Sequence, residues 1–243
     1  PPIAKSTKPA MLSKAEELIH VMRGKKVAEI RELMKVSEKI ADLNIDRYKH
    51  WSVEKNKTQG KQAIYAFMGD VYTGLDAGSF NLEDIKFAQT YLRILSGLYG
   101  ILKPLDNLQA YRLEMGTKLT TQKGNNLYDF WDNQVTLALN KQAKINGSSC
   151  LLNLASEEYF KVVKKHELNL EVITPIFKDN KNGKYKIISF FAKKARGMMA
   201  RFVIKNRITN PTELKDFNEK GYYFDSAKSA PNSPVFLREE RSS

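Results

Sequence analysis

The sequence is poor in cysteine, in histidine and in long apolar runs, and each scarcity excludes a class of protein. A lone cysteine, Cys150, cannot form an internal disulfide, which points to a reducing, cytoplasmic compartment. The three histidines lie in separate segments, so no zinc-finger spacing is present, and we expect neither a metal site nor another cofactor. No run approaches the roughly 18 apolar residues of a membrane span, and residues 1–9 lack the apolar core of a secretory signal. We therefore expect no contact with a membrane.

Acidic residues are also scarce relative to basic ones. The 243 residues include 40 Lys and Arg against 27 Asp and Glu, which gives a net charge of +13. The excess is uneven, because residues 161–207 hold 13 basic and three acidic residues. A surface of this sign attracts polyanions, with nucleic acid first among them. The alternative is a lysine-rich surface that is merely solvated.

The spacing of apolar residues predicts helices in the first half of the chain and strands in the second. Ser13-Lys14-Ala15-Glu16 is a capping-box pattern that opens a helix, and Asn81 caps another that runs to about Leu95. Residues 170–177 and 184–191 are rich in β-forming residues. The Asn-Gly pair between them is a strong hairpin signal.

These patterns, with 42% hydrophobic and 10% aromatic residues, predict a folded chain rather than a disordered one. We expect one compact α+β domain over residues 1–243, in which a helical first half packs against a mixed β-sheet from the second half. The polar ends, 1–9 and 226–243, are expected to be flexible in part.

A helix predicted from about Ala192 to Asn206 separates basic from apolar residues. No acid lies on it, so no i,i+4 ion pair relieves the repulsion between its cations. Gly197 lies within the basic arc, where a phosphate or a backbone could approach closely. The alternative is a solvated basic face over a core stripe. We predict phosphate binding by the basic residues of this arc, which are Lys193, Lys194, Arg196, Arg201, Lys205 and Arg207.

A second candidate site is the segment from Phe87 to Leu105, where a helix enters a Gly-apolar-aromatic-Gly turn. Glycines free backbone N–H groups to point outward, which suits phosphate binding. The segment resembles a helix-hairpin-helix element, although its glycines are three residues apart rather than two and Pro104 interrupts a second helix. The alternative is a glycine-terminated core helix with a tight turn. The predicted phosphate-binding residues here are Arg93, Gly97, Leu98, Tyr99, Gly100 and Lys103.

Two further segments predict a polar cleft. Alternation in residues 109–116 places Arg112 and Glu114 on one face, as an ion pair or along a cleft. Residues 153–160 put polar groups after a predicted strand, where ligand contacts are frequent. No nucleophile-base pattern, phosphate loop or dinucleotide fingerprint is present, so catalytic residues stay unassigned. The candidate cleft residues are Tyr111, Arg112, Glu114, Asn153, Ser156 and Glu157.

Five motifs give the chain a resemblance to a known family. They are residues 67–75 (FMGDVYTGL), 92–105 (LRILSGLYGILKPL), 111–116 (YRLEMG), 153–160 (NLASEEYF) and 188–197 (ISFFAKKARG). In this order they closely resemble the YaaA family of bacterial peroxide-stress proteins. The resemblance implies a cytosolic α+β protein that limits peroxide damage and lowers free iron. It also implies DNA binding through a positively charged cleft and a helix-hairpin-helix. Family members open with a strand that carries a Ser-Pro-Ala-Lys-like motif; we expect that this segment is missing here.

The first hypothesis is therefore a monomeric DNA-binding protein of the response to hydrogen peroxide. It would bind duplex or branched DNA through phosphates, largely independent of sequence, and limit iron-dependent damage. The alternative is an enzyme that acts on a nucleotide or nucleic-acid base, similar to a glycosylase, with Lys103 placed loosely where some glycosylases carry a catalytic lysine.

Two further roles are argued against from the residues. Direct iron chelation needs clustered imidazole, thiolate or carboxylate ligands, and the sequence separates them. A thiol sensor needs an exposed thiol of low pKa, usually near a resolving cysteine. Cys150 precedes an apolar run that predicts a core strand and has no basic neighbour within five residues. We expect an inert thiol.

Overall fold

The computed structural model describes residues 5–240 and forms them into eleven α-helices and ten β-strands. The helices are α1 (Leu12–Arg23), α2 (Val27–Met34), α3 (Glu38–His50), α4 (Val53–Thr58), α5 (Ala63–Ala66), α6 (Asp70–Leu75), α7 (Leu82–Tyr91), α8 (Leu127–Trp131), α9 (Gln134–Asn146), α10 (Glu157–Phe160) and α11 (Ser189–Lys205). The strands are β1 (Lys61–Gln62), β2 (Ile94–Ser96), β3 (Gly100–Leu102), β4 (Asn107–Leu108), β5 (Cys150–Leu152), β6 (Glu171–Ile173), β7 (Ile176–Lys181), β8 (Lys184–Lys186), β9 (Tyr222–Ala230) and β10 (Ser233–Arg238).

The largest sheet has four strands in the order β8-β7-β10-β9. Strands β7 and β10 run parallel, and the two outer pairs are antiparallel. The β7–β8 hairpin turns at Asn182 and Gly183, whose φ angles are 55° and 75°. Two consecutive residues of positive φ are what a tight hairpin turn requires, and the hairpin predicted from Asn-Gly is confirmed. Three two-stranded pairs complete the topology: β1-β4, β2-β3 and β5-β6.

The buried apolar side chains form three clusters. The largest packs α1, α3, α8 and α9 around the β2–β3 hairpin. A second lies between α7 and the C-terminal half of α11. The third joins Phe177, Tyr222 and Phe236 of the four-stranded sheet to Met198 and Met199 of α11. The predicted α+β domain, helical in its first half and packed with a mixed sheet from the second, is confirmed.

The structure describes part of each polar end, and those parts pair with other segments of the chain. Residues 1–4 and 241–243 lie outside the described residues. Thr7 bridges Asp106, while residues 226–238 belong mostly to β9 and β10.

The helix-hairpin-helix-like element is not confirmed. Helix α7 ends at Tyr91 rather than near Leu95, and the glycines Gly97 and Gly100 delimit the turn between β2 and β3. After Gly100 the next helix is α8, which begins at residue 127. The segment therefore forms a strand-turn-strand element within the largest core.

Helices α6 and α11 pack with their backbones in close contact. A Cβ atom added to Gly197 of α11 would lie 1.9 Å from the carbonyl oxygen of Val71, and one added to Gly74 of α6 would lie 2.1 Å from the carbonyl oxygen of Lys194. Each glycine therefore fits against the backbone of the other helix. Of the two close approaches predicted for Gly197, a phosphate or a backbone, the structure has a backbone there.

We expect the Gly197→Ala variant to be less stable than the native protein by at least about 1–3 kcal/mol, because overpacking forces backbone shifts. The measurement is the urea midpoint followed by circular dichroism. Gly78→Ala is the matched control, since a Cβ at Gly78 meets nothing within 4 Å. Equal midpoints for the two variants would contradict the close packing of α6 on α11.

Candidate nucleic-acid interface

Five of the six basic residues in the predicted arc lie on α11, and Arg207 lies two residues beyond its end. Three of the six are paired with acids from other elements. Arg201 pairs with Asp76 at 3.5 Å and also contacts Glu219. Lys205 and Arg207 pair with Asp84 at 3.3 and 2.8 Å. No acid on the helix itself compensates these charges, but acids from other elements compensate Arg201, Lys205 and Arg207. The pattern of one helix does not reveal such partners.

Asp84 is the carboxylate at the centre of this network and is 3% exposed. Burial alone raises the pKa of Asp84, but hydrogen bonds from Asn81, Arg207 and Lys205 outweigh it and leave that pKa below its ordinary value. The C-terminal half of α11 thus has its charge balanced within the protein.

Lys193, Lys194 and Arg196, on the N-terminal half of α11, differ from these. None of the three forms an ion pair with any residue in the part of the chain that the structure describes. Arg196 is half-buried, and burial lowers the pKa of its guanidinium. These cations are therefore available to an external anion.

The β7–β8 hairpin adds lysines beside this half of the helix. Residues directly opposite in paired strands share a face; Lys186 lies opposite Asp179 and Lys184 opposite Lys181. Side chains alternate along β7, so these lysines lie on the face that also carries Phe177 and packs on α11. We call the combined set the basic surface: Lys181, Lys184, Lys186, Lys193, Lys194 and Arg196.

Within residues 178–196 the acid is Asp179, and its charge is already matched. Its Oδ1 accepts from Arg238 Nε at 2.5 Å and its Oδ2 from the Tyr222 hydroxyl at 3.0 Å. Asp179 is 4% exposed and Arg238 7%. Glu239 and Glu240 also contact this hairpin, through Asn180 and Asn182. Among the described residues, however, no member of the basic surface forms an ion pair with them or with Asp179.

The turn residues predicted to bind phosphate are instead core residues. Leu98 and Tyr99 are fully buried, and the Tyr99 hydroxyl accepts from Trp51 Nε1 at 2.9 Å and donates to Asn56 Oδ1 at 2.7 Å. A Cβ on Gly97 would lie 2.2 Å from the carbonyl oxygen of Leu113.

Gly100, with φ of 68°, packs against the side chains of Met11 and Trp131. Burial of the whole turn corrects the prediction for Gly97, Leu98, Tyr99 and Gly100, since none of the four presents a group to a phosphate. Without the helix-hairpin-helix element, the glycosylase analogy also loses its main support.

Arg93 and Lys103, the two basic residues that flank this turn, lie in different surroundings. The Arg93 guanidinium donates to the carbonyl oxygens of Leu92 at 2.6 Å and Gln89 at 3.1 Å, and so closes the end of α7. Burial lowers the pKa of Arg93 to about 10. Lys103 is exposed, and its backbone N–H donates to Asp106; its role in phosphate binding stays a prediction.

The candidate cleft residues on the first segment are one inward-facing tyrosine and two residues that form an exposed ion pair. Arg112 pairs with Glu114 at 2.8 Å in an exposed position, which confirms the ion-pair interpretation. Tyr111 turns inward, with its hydroxyl 2.5 Å from Ser96 Oγ and its ring 5.5 Å from that of Tyr99.

The second cleft segment has mostly local contacts. Asn153 Oδ1 accepts from the N–H of Ala155 at 3.1 Å, and Ser156 Oγ caps α10 by accepting from the N–H of Tyr159. Glu157 is exposed in the first turn of α10. Of the cleft residues on this segment, Asn153 and Ser156 thus hold the chain that carries Tyr159.

Two residues that the sequence does not single out connect the segments. Glu158 Oε1 accepts from the N–H of Gly116 at 2.9 Å, so Glu158 rather than Glu157 joins α10 to residues 111–116. Tyr159 lies beside it, and burial raises its pKa to about 12. A contact between sequence-distant segments gives no local pattern by which it could be found.

Cys150 and the remaining candidate ligands are dispersed. Cys150 lies in β5, as predicted, but half-buried rather than in the core; burial and the neighbouring Glu171 raise the pKa of its thiol. Across residues 5–240, no three His, Cys, Asp or Glu side chains cluster closely enough to hold a metal ion. In the same residues no helix combines the length and apolar character needed to cross a membrane.

Comparison with known proteins places the chain in a family. Residues 1–228 match the family model described as peroxide stress protein YaaA. A UPF0246 protein of Aliivibrio fischeri is 54% identical over 240 residues, which cover 99% of this chain and 93% of the relative. A UPF0246 protein of Shewanella loihica is 55% identical over 235 residues, 97% of this chain and 91% of that protein. The chain therefore belongs to the YaaA family of peroxide stress proteins, which supports a role in peroxide stress.

Proposed function

We propose that the chain binds DNA in the cytoplasm as a monomer, through phosphate contacts at the basic surface, during the response to peroxide. The observation that carries the proposal is the split of charge along α11. Its C-terminal cations are paired with Asp76, Asp84 and Glu219, while Lys193, Lys194 and Arg196 meet no acid among the described residues. Cations left unpaired beside a lysine-rich hairpin favour a polyanionic ligand.

The chemistry of these side chains favours the DNA backbone over the base edges. Five of the six residues of the basic surface are lysines, whose ammonium groups act as point charges without the planar fork that reads guanine. Lys194 and Arg196 are half-buried along α11, which restricts the positions that their side chains can take. Binding of this kind is independent of sequence.

Such binding gives the peroxide role a physical basis. Hydroxyl radicals that form from peroxide and iron attack DNA where they arise, and cations along the backbone displace the metal ions that phosphates attract. A protein bound through phosphates would thereby limit iron-dependent damage at the DNA.

The proposal is tested by the salt dependence of DNA affinity. If about four to six cations pair with phosphates, log K falls against log salt with a slope of roughly −4 to −5. The measurement is fluorescence anisotropy with a labelled duplex between 50 and 300 mM salt. Duplexes of two unrelated sequences should give the same slope and affinity. A slope near zero, or binding to one sequence alone, would refute phosphate binding.

A further inference from the structure

Three large apolar side chains are exposed beside the basic surface. Met68 is 91% exposed, Ile187 62% and Phe190 54%. Single exposed apolar residues are ordinary, but these come from two chain segments that the fold brings to one end of a helix pair.

The course of α6 along α11 establishes this placement. The two helices touch at Gly74 and Gly197. Beyond that contact, Asp76 pairs with Arg201 and the carbonyl oxygen of Ser79 accepts from Lys205 at 2.9 Å. The chain that leaves α6 therefore follows α11 toward its C-terminal end, so both helices begin at the same end. Met68 precedes α6 by two residues, and Phe190 is the second residue of α11.

Phe190 also rests on a fixed support. Its ring centroid lies 5.6 Å from that of Phe191, with the two planes at 62°. The guanidinium carbon of Arg238 lies 4.7 Å from the ring centroid of Phe191. Asp179 forms an ion pair with that guanidinium and so fixes its position. An aromatic side chain held in place while exposed loses little conformational entropy when it meets a ligand.

Cations flank the exposed side chains closely. Lys186 precedes Ile187 directly, and Lys193 follows Phe190 by three residues. An aromatic face between cations is the arrangement that binds exposed nucleobases, because the ring stacks on a base while the cations hold the adjacent phosphates. Apolar side chains beside a phosphate-binding surface also insert where base steps are weakened.

We propose that Phe190, whose segment begins at the same end of the helix pair as the segment of Met68, stacks on unpaired bases of the DNA that the basic surface holds. The proposal rests on the proposed function and adds the form of DNA that is preferred. Because every base has an aromatic face, stacking distinguishes unpaired from paired bases without reading their sequence.

The test compares two DNA ligands of equal phosphate count, a continuous duplex and one with a three-nucleotide bulge that contains 2-aminopurine. We expect the native protein to bind the bulged DNA about tenfold more tightly, with a change in 2-aminopurine fluorescence. Phe190→Ala should lose this preference and the fluorescence change while its affinity for the continuous duplex and its salt slope stay native. Phe190→Trp should keep the preference. Ile145→Ala removes an equally exposed apolar side chain on α9 and is the matched control.

The outcomes separate the two proposals. Equal affinity of the native protein for both ligands, or a preference that survives in Phe190→Ala, overturns stacking while leaving phosphate binding in place. A loss of preference in Ile145→Ala also overturns it. Absence of binding to both ligands overturns the proposed function itself.

Discussion

Replacement of Lys193, Lys194 and Arg196 together by glutamine is expected to weaken DNA binding by about 100-fold. If each contact with a phosphate contributes about 1 kcal/mol, three lost contacts amount to about 3 kcal/mol. The salt slope should fall by about 3, since three fewer counterions are released. Glutamine keeps much of the apolar stem, so that the partly buried parts of Lys194 and Arg196 stay packed.

A matched control separates local contacts from net charge. Lys39, Lys141 and Lys215 are exposed, form no ion pair with the described residues and lie on other elements. Their replacement by glutamine also removes three charges. This control should change affinity by less than about threefold, because distant charges are screened beyond about 10 Å at 0.1 M salt. Equal losses in both triple variants would show that overall charge, not the basic surface, binds DNA.

Asp179→Ala is expected to reduce the free energy of unfolding by about 3–5 kcal/mol. The substitution leaves the buried Arg238 without its carboxylate. An uncompensated buried charge is strongly destabilising, because it has lost its hydration without gaining a partner. Arg238 lies between the rings of Phe191 and Tyr222, at 4.7 and 4.5 Å, and cannot reach solvent without disturbing both. For a chain of this length the melting temperature should fall by about 10 °C.

The control for this prediction is Asp42→Ala. Asp42 is exposed on α3, has no ion pair in the described part of the chain, and should change stability by no more than about 0.5 kcal/mol. A double variant, Asp179→Val with Arg238→Met, should regain part of the lost stability, because it removes both charges together. A single variant as stable as Asp42→Ala would show that the Asp179–Arg238 pair does not hold the sheet.

Several features encoded over a few neighbouring residues could be predicted from the sequence. The β7–β8 hairpin follows from Asn182-Gly183, whose positive φ few other pairs adopt. The capping of α7 by Asn81 is confirmed by reciprocal hydrogen bonds with Asp84, at 2.9 and 3.0 Å. The capping box predicted at Ser13 is wrong, because α1 begins at Leu12 with Met11 as its N-cap and no side-chain cap hydrogen bond.

Features that depend on contacts across the chain could not be predicted. Gly97 and Gly100 are compatible with a phosphate loop or a buried turn, and the surrounding core decides for the turn. Asp76 pairs with Arg201 and Asp84 pairs with Lys205, and each acid lies more than 100 residues upstream of its partner. Periodicity on one helix carries no information about such partners.

The position of β10 sets an order of events during synthesis. It is an inner strand of the four-stranded sheet, and it pairs in parallel with β7, from which more than 50 residues separate it. Until Arg238 has left the ribosome, β7 lacks its parallel neighbour and Asp179 lacks its arginine, so β8 alone pairs with β7 before then. Pairing over such a sequence separation is slow. We therefore expect the four-stranded sheet, and with it the arrangement of the basic surface, to form late in synthesis, only after β10 is available.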